Sequence, residues 1–378
     1  ALAIAWVFAR LSTLHAAAGG HCAFAQRAFG QRIGLQAYLL YWVCCVAGNV
    51  AIAVAAIGYL ASVAPPLAPA SNAALAAIAL IGVLTLLNAI GPRWVCQFDA
   101  LTLAAGLLPI ALVATLGWWH FDPQLFAAAW NVRDASLVVA VPQSLVLVFW
   151  AFLGLESAAV ASAVVEHPQR NVPIATVGGV LLAGVVYLAA STVIFGLLPA
   201  DRLANSTAPF ADAAGSLLGA AAGSIVAVAA AVKAIGTLAG WLLVTAQTGQ
   251  AAALQGLFPR ILARCDSRGV PVLNLVLVAV LMSLAALATR SPALAEQFAR
   301  LVEVSVILAL GSYLYALAAL PRLDASMPRP ARRRDRGLAI VAALFCIGVI
   351  AASPADQLLL AGGVLALAIV AAAIRRDR

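Results

Sequence analysis

A single carboxylate stands inside a long apolar run. Residues 148–173 read VFWAFLGLESAAVASAVVEHPQRNVP, with Glu156 directly after the letters FLGL and Trp150 six residues earlier. A charged side chain at mid-bilayer costs about 2.5 to 3.5 kcal/mol on insertion scales and marks a functional group by default. In an unbroken helix Trp150 and Glu156 would lie about 240° apart. Glycine and serine beside Glu156 indicate a helix break near Gly154, which a membrane tolerates only around a cavity.

A second polar group forms one stripe of a helix. In YWVCCVAGN the spacing i, i+4, i+7 and i+8 places Tyr41, Cys45, Gly48 and Asn49 on one face. Small, polar and aromatic side chains surrounded by Leu, Val and Ala predict the lining of a cavity. The alternative is helix packing through Gly48 with Asn49 hydrogen-bonded to a neighbouring helix.

A lysine lies near the middle of another apolar run. In KAIGTLAGW, the residues at i, i+4 and i+8 are Lys233, Thr237 and Trp241. A buried lysine is costly unless it is paired or deprotonated, so Lys233 is either an ion-pair partner or a coupling residue.

The run EVSVILALGSYLY carries a carboxylate one turn inside its span. Glu303 either extends to the outer interface or pairs with Lys233. Ser305 and Tyr313 are eight residues apart and share a helix face.

Composition assigns the chain to the membrane proteins. Hydrophobic residues make up 65% and charged residues 10% of the 378 residues, and the mean hydropathy is +1.04. Apolar runs of about 18 or more residues recur, whereas the alternating strands of a β-barrel are absent. We therefore expect an all-α polytopic membrane protein. The net charge of +8 does not indicate nucleic acid binding because the charges lie between the apolar runs, and the six cysteines lack paired metal-binding spacing.

Eleven apolar segments bounded by Pro, Gly or charge predict the spans. They cover residues 1–11, 34–63, 73–91, 98–119, 138–164, 174–198, 215–247, 271–289, 298–320, 337–352 and 356–374. If the connections alternate sides, one set holds 17 of the 22 Lys and Arg residues; the other holds Arg133, Arg202, Arg290 and Arg300, and Lys233 lies within a span. This bias predicts an inner (cell) membrane protein with basic loops and C-terminus in the cytoplasm. The amphipathic segment 248–270 predicts an interfacial helix or a gate segment.

The predicted orientation makes residue 1 lie partway through an inward-going span. The segment ALAIAWVFARL, residues 1–11, has about half the length needed to cross a bilayer. We therefore predict that residues 1–378 form a single transporter domain truncated at its N-terminus. One whole helix and the rest of the partial one would precede Ala1.

The polar side chains suit a cationic, amine-bearing solute. Indole rings such as Trp150 and Trp241 attract cations, by about 2 kcal/mol or more when desolvated, and Asn49 and Glu156 add polar and negative groups. The motifs GxxxxGKS, HExxH and GxSxG are absent. An enzyme that pairs Glu156 with His167 is disfavoured because no third group orients the histidine. We predict transport that needs no cofactor, metal or catalytic residue, within a lipid bilayer.

Several motifs carry a family resemblance over essentially the whole chain. They are GGHCAFAQRAFG, where the family has a GGSYAYA-type loop, YWVCCVAGNVAI, AAWNV, FWAFLGLESAAVASAVVEHPQRNVPIAT, ANSTAPF, GTLAGWLLVTAQ, GLFPRILARC and VEVSVILALGSYLY. With these motifs the chain resembles the basic amino acid and polyamine antiporters of the amino acid–polyamine–organocation superfamily, most closely the arginine–agmatine exchangers. The resemblance implies twelve spans in a five-plus-five inverted repeat (LeuT-like) with two extra C-terminal helices, and a homodimer.

The resemblance also implies roles for individual residues. Trp150 would cover the substrate from the outer side, and Trp241 would form a gate towards the cytoplasm. Glu156 would act in proton sensing and gating. The pocket lining would include Asn49, Cys45, Ile52, Leu153 and Ser305, and the aromatic gating positions would be Tyr41 and Tyr313.

The chain departs from the family in two respects. No segment of residues 1–378 matches the family's first helix, whose Gly-Ser-Gly break would bind the substrate carboxylate, and we expect that helix to precede Ala1. Lys233 occupies a position where the family usually has a small neutral residue. A cation there would repel a cationic substrate unless Glu156 or Glu303 compensates.

We predict exchange of a basic amino acid for its decarboxylated amine, with arginine for agmatine as the first pair. Coupled to a cytoplasmic decarboxylase, each cycle would export a proton equivalent, as in acid resistance. The alternatives are ornithine–putrescine exchange, which ANSTAPF favours, lysine–cadaverine exchange, and proton-coupled amino acid uptake in which Lys233 titrates. A non-functional fragment is a further alternative, because half of the pocket would be absent.

Overall fold

Helices joined by short turns make up the described residues, 1–15, 19–132, 134–157, 167–291 and 293–374, of a computed structural model. In order they are α1 (Leu2–Leu14), α2 (Gly20–Phe29), α3 (Gln31–Ala61), α4 (Ala70–Ile90), α5 (Pro92–Leu116), α6 (Pro123–Ala129), α7 (Leu137–Trp150), α8 (Pro168–Pro173), α9 (Gly179–Leu197), α10 (Ala200–Asn205), α11 (Pro209–Leu218), α12 (Ala220–Leu254), α13 (Val272–Ala288), α14 (Leu294–Leu323), α15 (Arg329–Ala351) and α16 (Ala355–Ile374). These ranges contain no strand, which confirms the predicted all-α class.

Seven helical stretches of the described residues are long and apolar enough to cross a membrane. They are Gln31–Ala61, Ala70–Ile90, Pro92–His120, Gln169–Leu197, Ala220–Leu254, Leu294–Leu323 and Ala355–Ala373. Three shorter apolar helices, α1, α7 and α13, accompany them. The chain is therefore a polytopic helical membrane protein. The last residues of the predicted segment 138–164, from 158 onward, lie outside the described residues.

Residues 248–270, predicted as an interfacial helix or a gate segment, do not form one continuous helix; the gate alternative stays a prediction. The first third of this segment continues α12 as far as Leu254, and a short 3₁₀ turn, Arg260–Ala263, follows. Three of its apolar side chains, Leu257, Phe258 and Leu262, pack on the protein, whereas Leu254 and Ile261 are exposed. Phe258 meets Trp42 edge to face. A hydrophobic face does not specify its partner, so the pattern fitted both arrangements.

The helices α3 and α14 form the centre of the bundle. In both, 67% of the most apolar stretch is buried, compared with 22% in the stretch Pro92–His120. They pack against each other, and α12 packs against both α3 and α5. A helix that is apolar on all sides and surrounded by other helices is a core element, so α3 provides the scaffold on which a central site can form.

Large apolar side chains remain exposed on the peripheral helices. Examples are Leu75, Leu86, Leu101, Leu182, Leu188, Ile340, Leu359 and Leu367. So much apolar surface would be unfavourable in water, and it suits contact with lipid chains.

Candidate substrate site

A cavity of about 340 Å³ lies between α3, α12 and the turn that follows α7. Its volume falls within the range of small-molecule sites, roughly 300 to 1,000 Å³. Nine of the eleven residues singled out in the sequence lie in its wall: Tyr41, Cys45, Asn49, Ile52, Trp150, Leu153, Glu156, Lys233 and Trp241. The fold therefore brings together residues that are up to 200 positions apart in sequence, from Tyr41 to Trp241.

One face of α3 provides the first wall. Tyr41, Cys45, Gly48, Asn49 and Ile52 all line the cavity, as the helical spacing of the first four predicted. Asn49 also donates through Nδ2 to Thr245 Oγ1 on α12, at 3.0 Å, and is 1% exposed. Both interpretations of the stripe therefore hold: it lines a cavity, and its amide ties α3 to α12.

The second wall is a broken helix. Helix α7 ends at Trp150, and residues 151–156 form successive turns. Gly154 adopts a φ of +107°, a conformation that glycine reaches at little cost. A Cβ on Gly154 would lie 3.2 Å from the Trp241 ring, a tight contact, so the positive φ is the main reason for glycine at this position. The break places Trp150 and Glu156 on the same cavity, as the predicted unwinding near Gly154 required.

Glu156 is held by three donors. Tyr41 Oη donates to Oε1 at 2.7 Å, while Tyr313 Oη and the Gly154 N–H, the latter at 3.0 Å, donate to Oε2. The side chain is 1% exposed. Hydrogen bonds to a carboxylate are stronger than those between neutral groups, and a buried charge requires such partners. The two tyrosines and the turn therefore fix this carboxylate at the Tyr41 end of the α3 stripe.

Tyr313 and Ser305 lie on α14, behind the wall rather than in it. Tyr313 is fully buried and acts on the cavity through its bond to Glu156. Ser305 is also fully buried, and its hydroxyl donates to the Val302 carbonyl at 2.8 Å. A Cβ on Gly48 would lie 3.8 Å from the Ser305 Cβ. Ser305 is thus separated from the cavity by the α3 backbone at Gly48.

A second cavity, of about 710 Å³, adjoins the first. Trp241, Leu153, Thr237 and Tyr187 line both cavities. The larger cavity extends to the ends of α5 and α12 that carry Cys96 and Gln247, which is the side predicted to be cytoplasmic. Trp241 therefore stands where a gate between the two cavities would stand.

Trp150 meets Phe298 of α14 edge to face, with ring centroids 5.2 Å apart.

Lys233 is half-buried in the wall of the smaller cavity. Among the described residues it forms no ion pair with Glu156 or Glu303. The acidic side chain whose charge acts on it is Asp99 of α5, which lines the larger cavity. Glu303 is instead influenced by Asp356 and Arg300. The suggested pairing of Lys233 with Glu303 is therefore not formed.

Sequence reasoning missed Asp99, Thr245 and Tyr187. Asp99 stands at the start of a predicted span, where a carboxylate is ordinary, so its position gave no signal. Thr245 follows Trp241 by four residues, and this spacing on one helix face was a signal that could have found it. Tyr187 lies in an apolar run that showed no polar stripe.

The described residues contain no group of three or more His, Cys, Asp or Glu side chains that could hold a metal ion. Cys96 and Cys265 are exposed, and the other four cysteines are buried. Cys44 lines the cavity together with Cys45, although adjacent residues point to different sides of a helix. The cavity is wide enough at this level to touch both.

Comparison with known proteins gives concordant matches. The family model described as "Amino acid permease" matches residues 1–370. A "Cadaverine/lysine antiporter" of Escherichia coli (strain K12) is 35% identical over 86% of this chain and 74% of its own length. "Putrescine transporter PotE" of the same strain is 32% identical over 95% of this chain and 82% of its own length. "Putrescine transporter PotE" of Haemophilus influenzae is 32% identical over 84% of this chain and 73% of its own length.

Proposed function

Because the chain belongs to the amino acid permease family, we propose that it exchanges a cationic amino acid for the amine left by its decarboxylation. The observation that carries this proposal is one cavity walled by two indole rings, Trp150 and Trp241, and a buried carboxylate, Glu156. Indole faces and a carboxylate attract ammonium groups, and a substrate amine would find both kinds of partner here.

The names of the relatives support the choice of substrate pair. These name lysine, cadaverine and putrescine, whereas the motif resemblance ranks arginine and agmatine first. We therefore propose a linear diamine as the exported amine, with lysine–cadaverine and ornithine–putrescine ahead of arginine–agmatine. Each pair differs by one carboxylate, so the exchanged molecules share the ammonium end that the cavity would bind.

The two adjoining cavities support a transport cycle with two gates. A substrate in the smaller cavity is separated from the larger one by Trp241 and its neighbours. Movement of Trp241 would open the inner route, and Trp150 would close the outer side in turn. We place the protein in the bacterial inner membrane with its basic loops in the cytoplasm, as a homodimer.

Exchange in liposomes tests this function. Protein expressed from its complete reading frame is reconstituted into vesicles loaded with cadaverine, putrescine or agmatine, and uptake of labelled lysine, ornithine or arginine is measured. We expect uptake only into loaded vesicles, fastest for the matching diamine pairs. Uptake into unloaded vesicles would instead indicate proton-coupled uptake, and absence of uptake with all three amines would refute the exchange.

Two tryptophan variants provide the matched comparison. Trp150→Leu removes an indole from the cavity wall and should raise the half-saturating lysine concentration about tenfold or more, as expected for a lost cation–π contact of about 2 kcal/mol. Trp119→Leu alters a tryptophan that is 76% exposed and away from the cavity, and it should leave exchange unchanged. Equal effects of the two variants would contradict the role of Trp150.

A further inference from the structure

The larger cavity carries a negative charge of its own. Among the described residues that line it, Asp99 is the only one with a charged side chain. The smaller cavity contains both Glu156 and Lys233, whose opposite charges offset each other. A concave space lined by one sign of charge concentrates ions of the opposite sign. The larger cavity, of about 710 Å³, is therefore the one that attracts cations more strongly.

The Asp99 carboxylate lies in the cavity wall next to Trp241. Its Oδ2 is 3.1 Å from the position that a Cβ on Gly240 would take, and Gly240 directly precedes Trp241. The Asp99 side chain is half-buried. Within the described part of the chain, no group donates a hydrogen bond to this carboxylate and no cation pairs with it; the charge that acts on it is that of Lys233. Both oxygens can therefore still accept hydrogen bonds from a ligand.

The register of α5 and α12 keeps Asp99 apart from Lys233. The two helices run in opposite directions, because Asp99 lies against Gly240 whereas Gly106 lies against Lys233. Seven residues separate the two levels on each helix, from 99 to 106 and from 233 to 240, which corresponds to about 10 Å of helical rise. The two charged side chains therefore belong to different cavities.

The structure of α5 does not require the Asp99 carboxylate. Asp99 is the eighth residue of α5, and the N-cap position belongs to Gly91. The dipole of a helix stabilises acidic side chains mainly within its first turn. Neither capping nor the helix dipole accounts for this carboxylate, so its charge remains available to a ligand.

The rest of the cavity wall combines aromatic rings with hydroxyl and amide oxygens. These side chains are Phe152, Tyr187, Trp241, Ser157, Thr237 and Gln247. Aromatic faces attract ammonium groups by cation–π contact, and the oxygens can accept their hydrogen bonds. The wall thus offers every kind of partner that an alkylammonium group requires.

We propose that Asp99 and the larger cavity form a second cation subsite, which takes up one ammonium group of a linear diamine before Trp241 moves. This cavity reaches the ends of α5 and α12 that are predicted to be cytoplasmic, so the diamine would come from the cytoplasm. A diamine carries two positive charges, whereas its parent amino acid also carries a carboxylate, which Asp99 repels. The subsite therefore makes the cytoplasmic face select the amine over the amino acid. The proposal deepens the proposed exchange function and rests on it.

Vesicles of defined orientation test the subsite. Protein expressed from its complete reading frame is assayed in everted membrane vesicles, which present the cytoplasmic face, and in right-side-out vesicles. We expect Asp99→Asn to raise the half-saturating cadaverine concentration at the cytoplasmic face about tenfold, as for one lost hydrogen bond to a charged group. The half-saturating lysine concentration at the opposite face should change much less. No change for cadaverine, or an equal loss at both faces, would overturn the proposal.

Two further variants control for charge and position. Asp99→Glu retains the carboxylate and should keep most of the affinity for cadaverine at the cytoplasmic face. Asp201→Asn removes an exposed carboxylate that lines neither cavity and should match the wild type. A loss in Asp201→Asn as large as that in Asp99→Asn would attribute the effect to net charge and would refute the subsite.

A double variant separates direct binding from an effect transmitted through Lys233. In the Lys233→Ser background the lysine charge is absent, and Asp99→Asn should still weaken cadaverine uptake at the cytoplasmic face about tenfold. If Asp99→Asn has no effect in that background, Asp99 acts only by compensating the lysine, and the subsite does not exist.

Equilibrium binding of labelled cadaverine to the purified protein distinguishes failure of the subsite from failure of exchange. If the wild type exchanges no amine in vesicles, the exchange function fails. The subsite still requires that Asp99→Asn bind cadaverine more weakly than the wild type does. Equal binding by the two proteins would refute the subsite, whatever the outcome of the exchange assay.

Discussion

At the scale of residues, one carboxylate and one lysine line the same cavity of about 340 Å³. Glu156 receives three hydrogen bonds from Tyr41, Tyr313 and Gly154, whereas Lys233 is half-buried and influenced by Asp99 of the adjoining cavity. Asp99, which the sequence analysis did not single out, lies outside the smaller cavity and partly compensates the lysine charge. The balance between these charges decides how strongly a dication is held.

Replacement of the lysine tests this balance. Lys233→Ser should raise the affinity for cadaverine about three- to tenfold, because repulsion of about 1 kcal/mol is removed at an effective dielectric constant near 20. Binding is measured by competition against labelled lysine, with Lys233→Arg as the control that retains the charge. An unchanged or weaker affinity for cadaverine in Lys233→Ser would mean that Lys233 does not repel the substrate.

At the scale of elements, α5 and α12 pack so closely that Gly236 and Gly106 leave no room for a side chain of their own. A Cβ on Gly236 of α12 would lie 1.6 Å from Thr102 Oγ1 of α5, and one on Gly106 would lie 2.2 Å from the Lys233 Cβ. Small residues allow this approach between membrane helices, where packing drives association. The contact fixes Lys233, Thr237 and Trp241 against α5, and it sets the width of both cavities.

A single added methyl group should disrupt this contact. Gly236→Ala forces Thr102 and the helices apart, and overpacking of this kind costs about 1 to 3 kcal/mol. We expect a lower apparent melting temperature in detergent, measured by the loss of monodisperse protein on heating.

The matched control is Gly82→Ala on α4, where a Cβ meets nothing within 4 Å. Alanine favours a helix over glycine by about 1 kcal/mol, so Gly82→Ala should leave the melting temperature unchanged or raise it. Equal melting temperatures for Gly236→Ala and Gly82→Ala would show that the α5–α12 contact tolerates a wider separation.

At the scale of the whole molecule, charged side chains cluster at the ends of the helices. Arg10 pairs with Asp335 at 2.8 Å, and Arg336 pairs with Asp324 at 2.7 Å. Trp6 also donates to Asp335 at 2.9 Å. These pairs lie in connections that the charge bias predicts to be cytoplasmic, and they tie α1, α14 and α15 together on that side.

Thiol labelling in intact cells tests this orientation. Cys265 is exposed and lies in a connection predicted to be cytoplasmic. In a Cys96→Ser variant, which removes the other exposed cysteine, Cys265 should react only with a membrane-permeant maleimide. A cysteine introduced as Asn205→Cys, in a Cys96→Ser and Cys265→Ser background, should also react with an impermeant reagent, because it lies on the other predicted side. The opposite pattern would invert the proposed topology.

Much of the site was predictable because helical spacing is a local property. The stripe from Tyr41 to Asn49 and the break at Gly154 follow from side-chain periodicity and from the conformational freedom of glycine. Spacing placed Tyr313 on one helix face with Ser305, and the family motifs gave it a gating role; its contact with Glu156 joins residues 157 positions apart. Ser305 came from the same source, and the fold places it behind Gly48 rather than in the cavity wall.

The sequence by itself determined the helical membrane class, the apolar segments and most of the cavity residues, because hydropathy and periodicity act over short stretches of chain. Only the tertiary structure decided that Asp99 rather than Glu303 acts on Lys233. It also decided that Leu257, Phe258 and Leu262 pack inside the protein, and that His21 lies behind the tyrosines that hold the carboxylate. These facts depend on which helices face each other, and packing between distant segments decides that arrangement. The apolar pattern of one helix is compatible with many different neighbours, so it cannot identify the neighbour.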